Sequence, residues 1–175
     1  CFTKDSEHYH LTTEGGHTHR RVAHVADKTG QSIQINLLGS VKQQDNVTLF
    51  ENYIAIDLLI QDEQCCGAYI LNKATHEVES FIAHKTILAT GGASKAYLYT
   101  SNPDTSTGDG IAMASRAGCN IMNMEFTQFH PTCLYHPHAK SFLISEAIRG
   151  EGGRLHLPNG EAFMHKYDDR GELAP

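Results

Sequence analysis

The 175-residue chain predicts an α/β protein of mixed α+β character, and three observations carry that prediction. Short β-rich runs follow one another closely between Tyr53 and Ile82, which argues for an antiparallel meander. A continuously apolar run, Thr86-Ile87-Leu88-Ala89, leads straight into Thr90-Gly91-Gly92. Helical stretches stand on either side of these, at 31–42 and 110–117.

The elements read as follows. Residues 1–29 are polar, irregular and rich in histidine (His8, His10, His17, His19, His24). After Gly30, the apolar residues Ile33, Ile35, Leu37, Leu38 and Val41 fit helical spacing in part and suggest a helix from Gln31 to Lys42. Asp45-Asn46 makes a turn, and Val47-Thr48-Leu49-Phe50 reads as a strand. Tyr53–Ile60, Ala68–Leu71 and Val78–Ile82 form the meander, broken by Gln61-Asp62-Glu63-Gln64 and Asn72-Lys73. Thr86–Ala89 does not alternate, as expected of a strand covered on both faces. A helix from Gly110 to Ala117 ends at Gly118, a natural C-terminal cap. Beyond Phe126 the chain turns irregular, and Ser141–Arg149 then reads as a short helix stopped by Gly150. A boundary near residue 125 divides two domains, 1–125 and 126–175.

Composition excludes several classes. The net charge is −6, with 40% hydrophobic and 19% charged residues, as in an ordinary acidic globular protein. Arg20-Arg21 is the only adjacent basic pair, so no nucleic-acid footprint is present. No apolar run approaches the roughly 18 residues of a membrane helix, and no secretory signal is seen. Cys1, Cys65, Cys66, Cys119 and Cys133 lack disulfide spacing. They read as reduced, partly buried thiols of a cytoplasmic protein, with Cys65-Cys66 opening a strand. The chain starts without Met and stops within a motif, as an interior segment would.

Several residues could carry chemistry. Gly91 and Gly92 are either turn residues or places where a cofactor approaches too closely for a Cβ atom. Asp109 suits either an N-terminal helix cap or a cofactor contact. No Gly-x-Gly-x-x-Gly fingerprint appears, since Gly108-Asp109-Gly110 and Gly150-Glu151-Gly152 lack the third glycine. His130 lies in irregular chain, and Gln128, two residues earlier, points to the same side if extended. Glu146 and Arg149 read as a surface ion pair one turn apart, without a catalytic role. Glu14 could simply be a turn carboxylate beside Arg20 and Arg21. His8/His10 and His17/His19 offer paired imidazoles for a metal, but no further ligand completes a motif.

Seven stretches together are more specific than any glycine pattern. They are Glu14–Arg21, Ala89–Ala93, Asn102-Pro103-Asp104, Thr107–Gly110, Phe129–Thr132, Glu146–Gly152 and Arg170–Pro175. In that order they resemble the succinate dehydrogenase/fumarate reductase flavoprotein family, in its L-aspartate-oxidising branch. The resemblance implies part of a FAD-binding Rossmann-like domain with a β-meander, followed by the start of an α+β capping domain. It implies FAD beside Ile54, Ala55, Gly91, Gly92 and Asp109. It also implies a dicarboxylate, L-aspartate or fumarate, held by Glu14, Gln128, His130 and Ser145, with no metal.

Glu14 would orient the substrate amine, His130 one carboxylate and Ser145 the other; close relatives would carry threonine at 145. The family's catalytic arginine would follow Pro175, and its pyrophosphate-binding unit would precede Cys1, so the isolated piece is expected to be inactive. The implied reaction is oxidation of L-aspartate to iminoaspartate with O2 or fumarate as acceptor. It feeds quinolinate and NAD synthesis, with the quinolinate synthase step downstream. A succinate dehydrogenase or fumarate reductase flavoprotein subunit is the alternative, against which the Glu14–Arg21 setting argues. A non-enzymatic histidine-rich metal module is the other.

Overall fold

The computed structural model describes residues 2–138 and 140–174. It mixes helix and sheet as the sequence predicts, in two compact units. One comprises Cys1–Thr48, His130–Leu134 and Phe142–Pro175; the other comprises Leu49–Phe129 and Tyr135–Ser141.

The first unit opens with two small antiparallel pairs. Strand β1 (Lys4–Asp5) pairs with β2 (His8–Tyr9), and β3 (Leu11–Thr12) with β4 (Val22–Ala23). The loop between β3 and β4 carries Glu14. Helix α1 spans Thr29–Val41, close to the predicted 31–42. It buries no residue, and Ile35 and Leu37 stand open to solvent.

The second unit is built on the predicted meander, β5 (Tyr53–Gln61), β6 (Gln64–Asn72) and β7 (Glu77–Ile82), in the order β5-β6-β7. Asp62 and Glu63 join β5 to β6 with φ of 48° and 60°. Positive φ at both positions makes a two-residue turn whose twist matches that of the strands. Asn72 Oδ1 accepts from the N–H groups of Ala74 and Thr75 and starts the next turn. Register shifts at Ala55/Asp57 and Leu59/Ile60 bend the ladder. Gly67 lies at the second shift, with φ 148°, and a Cβ there would stand 1.9 Å from the Phe81 carbonyl oxygen. Phe50, Tyr53 and Phe81 pack edge-to-face beside the sheet, their ring centroids 4.8–6.2 Å apart.

Helix α2 (Asp109–Arg116) lies against β5. Arg116 donates to Asp57 Oδ2 (2.8 Å) and to the Ile56 carbonyl (3.2 Å), which holds the Asp57 carboxyl below its ordinary range. Met113 is the apolar side chain that α2 buries most fully, at 1% exposure. Gly118 follows the helix end with φ 84°, as its predicted capping role requires.

Three predicted elements differ. Residues 47–50 form no strand. Residues 86–89 form no strand either, and Ile87 is 88% exposed. A strand exists only where a neighbour takes its N–H and C=O groups, and among the described residues nothing pairs with either run. The predicted helix 141–149 is a strand and a shorter helix. Strand β9 (Phe142–Leu143) pairs with β8 (Cys133–Leu134), and helix α3 spans Glu146–Gly150. The expected partly buried thiols are also exposed at Cys65, Cys119 and Cys133; Cys66 is half-buried.

Candidate functional site

In the first unit, the β8–β9 pairing brings His130 close to the start of α3. The register Cys133↔Leu143 and Leu134↔Phe142 continues outward, where Thr132 Oγ1 donates to the Ile144 carbonyl (3.0 Å) and Ile144 N–H to the Thr132 carbonyl (3.2 Å). His130 Nδ1 lies 2.8 Å from the Thr132 carbonyl oxygen, which orients the ring. Its Nε2 then faces Glu146 Oε1 at 3.9 Å.

Ser145 caps α3, its Oγ accepting from the Ala147 N–H at 3.2 Å. That contact uses a lone pair and leaves the hydroxyl hydrogen free to donate. The same Glu146 oxygen sits 3.6 Å from Arg149 Nη2. Here the expected surface ion pair is corrected: Arg149 is only 5% exposed. Its Nη1 donates to the carbonyls of Glu172 and Ala174. Spacing alone could not show this, because the acceptors lie more than twenty residues away.

Glu14 is half-buried in a tight turn, closed by His17 N–H to the Glu14 carbonyl (3.1 Å) with Gly16 at φ 78°. Gly150 backs this turn so closely that a Cβ would stand 2.2 Å from the Thr13 carbonyl oxygen. Arg20, the cation near Glu14 in sequence, pairs with Glu151 instead, through two contacts of 2.7 Å. The bidentate pair holds the Glu151 carboxyl below its ordinary range. Glu14, His130 and Ser145 thus share one unit, linked through Gly15, Arg149 and Glu146.

The second unit holds Ile54, Ala55, Gly91, Gly92, Asp109 and Gln128. Gly108 N–H donates to the Gly92 carbonyl (3.1 Å), which ties the glycine pair to the start of α2. Nothing lies within 4 Å of a Cβ built on Gly91 or Gly92, and Gly91 has φ 75°. The pair therefore presents bare backbone. Asp109 does not cap α2: Gly108 holds the cap position, and the Asp109 carboxylate accepts from the Thr107 hydroxyl at 2.6 Å. Ile54 is exposed on β5 beside half-buried Ala55. Gln128 is exposed, next to Phe129, whose ring packs edge-on against Tyr97 at 5.3 Å.

His10 Nδ1 and His24 Nε2 are 2.7 Å apart, at hydrogen-bond distance. Among the described residues, no three His, Cys, Asp or Glu side chains are placed to hold an ion. No helix among them is long and apolar enough to cross a membrane.

The family model described as FAD binding domain matches residues 1–175, and the chain belongs to this family. FAD is accordingly its cofactor. The L-aspartate oxidase of Pseudomonas aeruginosa is 55% identical over 99% of this chain and 35% of its own length. L-aspartate oxidase 1 of Ralstonia nicotianae is 56% identical over 99% of the chain and 34% of its length. The chain spans about a third of the length of these curated relatives. A solved quinol–fumarate reductase with menaquinol superposes with a TM-score of 0.88 at 30% identity, over 95% of this chain and 28% of that one. Mycobacterium smegmatis Sdh1 in complex with UQ1 gives 0.72 at 34% identity, over 94% of this chain and 30% of that one.

Proposed function

We infer that this chain is part of a FAD-dependent L-aspartate oxidase that converts L-aspartate to iminoaspartate. One observation carries the choice of substrate. Glu151 takes Arg20 bidentately, and among the described residues no hydrogen bond or ion pair engages the Glu14 carboxylate. A half-buried carboxylate without a cation attracts an ammonium group, and an ammonium is what separates aspartate from succinate. The named relatives support the same reading.

The residues on hand fit the cofactor. Bare backbone at Gly91 and Gly92 admits a flat group without steric conflict, with Ile54, Ala55 and Asp109 completing the contact. When bound, FAD supplies the two-electron acceptor for the substrate Cα–H.

The protein's part is placement. Glu14 holds the amine. His130, with Nδ1 accepting the Thr132 N–H at 3.2 Å so that Nε2 carries the hydrogen, and the free Ser145 O–H donate to the two carboxylates. Residues 1–125 form part of the FAD domain and 126–175 begin the capping domain. O2 or fumarate would serve as the final electron acceptor, and the imine would pass to quinolinate synthesis for NAD, in the cytoplasm. The full-length protein tests this: turnover of L-aspartate, with succinate as a poor substrate, is expected.

A second reading, a fumarate reductase or succinate dehydrogenase flavoprotein subunit, has the solved structures in its favour. Preferential turnover of succinate or fumarate would establish it.

A further inference from the structure

Arg149 carries a charge, is buried, and is engaged on several sides. A cation at 5% exposure persists only where acceptors and countercharge surround it. Both hydrogens of Nη1 are used, donating to the carbonyls of Glu172 (2.8 Å) and Ala174 (3.0 Å). The carbonyl between them, that of Leu173, accepts from the Gly16 N–H at 2.8 Å. Three successive carbonyls are thus held alternately by a side chain of α3 and by the turn that carries Glu14.

The other terminal nitrogen, Nη2, faces that turn. A Cβ built on Gly15 would lie 2.8 Å from it and 3.2 Å from Cζ. Gly15 has no left-handed φ, so space rather than backbone conformation demands glycine there. Among the described residues Nη2 and Nε make no hydrogen bond, and Glu146 supplies the countercharge at 3.6 Å.

We propose that Arg149 is a positioning residue, whose guanidinium seats the Glu14 turn against residues 172–174 and thereby directs the Glu14 carboxylate. Gly15 is its partner, left without a side chain so that the guanidinium can lie beneath it. A lysine would keep the charge and could reach the two carbonyls from its one nitrogen, but it would leave the space under Gly15 empty. The consequence for specificity rests on the aspartate reading above; the packing of Arg149 on Gly15 does not.

The test uses full-length flavoprotein in four forms: wild type, Gly15→Ala, Arg149→Lys and the double variant. Gly15→Ala is expected to lower Tm by roughly 2–5 °C in the wild-type background. In the Arg149→Lys background it should cost less than half as much, because the opposing nitrogen has gone. Equal losses in both backgrounds would overturn the proposal.

Gly15→Ala should also raise the KM for aspartate about tenfold. The inhibition constant of succinate, which has no amine for Glu14, should move less than about twofold. Parallel changes in the two would reduce Arg149 to a purely structural part and overturn the positioning role. If the wild-type enzyme does not oxidise aspartate, the functional reading fails, while the thermal comparison still decides the packing.

Discussion

Arg20 and Glu151, 131 residues apart in sequence, close a bidentate ion pair with both contacts at 2.7 Å. The pair ties the loop that follows Glu14 to the end of α3, and it removes from Glu14 the cation nearest in sequence. Among the described residues no hydrogen bond or ion pair engages the Glu14 carboxylate.

Glu14→Gln keeps the size of the side chain and removes its charge. Aspartate KM in the full-length enzyme should rise at least tenfold, since one charged partner of the amine is lost. The inhibition constant of succinate should hold within about twofold. Steady-state kinetics with both ligands check this, and equal losses would count against Glu14 as the amine partner.

Ser145 caps α3 with a lone pair, and in the proposed site it also donates its hydrogen to a substrate carboxylate. Ser145→Ala removes both and should cost about 1 kcal/mol of stability, together with a higher aspartate KM. Ser145→Thr retains both and should leave each within a small factor of the wild type. Urea unfolding and kinetics on the two variants separate these outcomes; a harmless Ser145→Ala would refute the assignment.

Gly67 offers a sharper stability test. A Cβ there meets the Phe81 carbonyl at 1.9 Å on a backbone with φ 148°. Gly67→Ala should therefore destabilise the protein by about 3 kcal/mol or more, from strain and loss of ladder register combined. Full retention of Tm would show that β6 does not pair with β7 in the register described.

Asp104 links Lys95 (3.0 Å) and Lys140, and these partners lower its pKa to about 2. Because the folded-state value lies below the ordinary 3.8, the pairing favours the folded state above pH 3.8. That contribution fades as the pH falls toward about 2. Lys140→Met should move the Asp104 titration upward, as followed by carboxyl carbon NMR. An unchanged midpoint would show that the Lys140 contact does not form in solution.

Much of this structure is legible in the sequence where local chemistry decides. The meander strands are closely spaced runs rich in β-forming residues, Asp62-Glu63 and Asn72 punctuate them, and Gly118 ends α2. Prediction failed where a partner decides. Thr86–Ala89 has the texture of a buried strand, yet no ladder forms on it among the described residues. Phe142-Leu143 has helical neighbours but pairs with Cys133-Leu134, a contact that local periodicity does not register. Arg149 follows the same pattern. Its spacing from Glu146 suggests a surface pair, whereas its burial depends on carbonyls at 172 and 174. Asp109 marks the start of α2 correctly, but Gly108 occupies the cap.

The central claim, that this chain belongs to an enzyme oxidising aspartate through FAD, is tested most directly by anaerobic mixing of the full-length flavoprotein with substrate. Loss of the oxidised-flavin absorbance on adding L-aspartate, with little or no loss on adding succinate, is the predicted result. Bleaching by succinate with none by L-aspartate would contradict it.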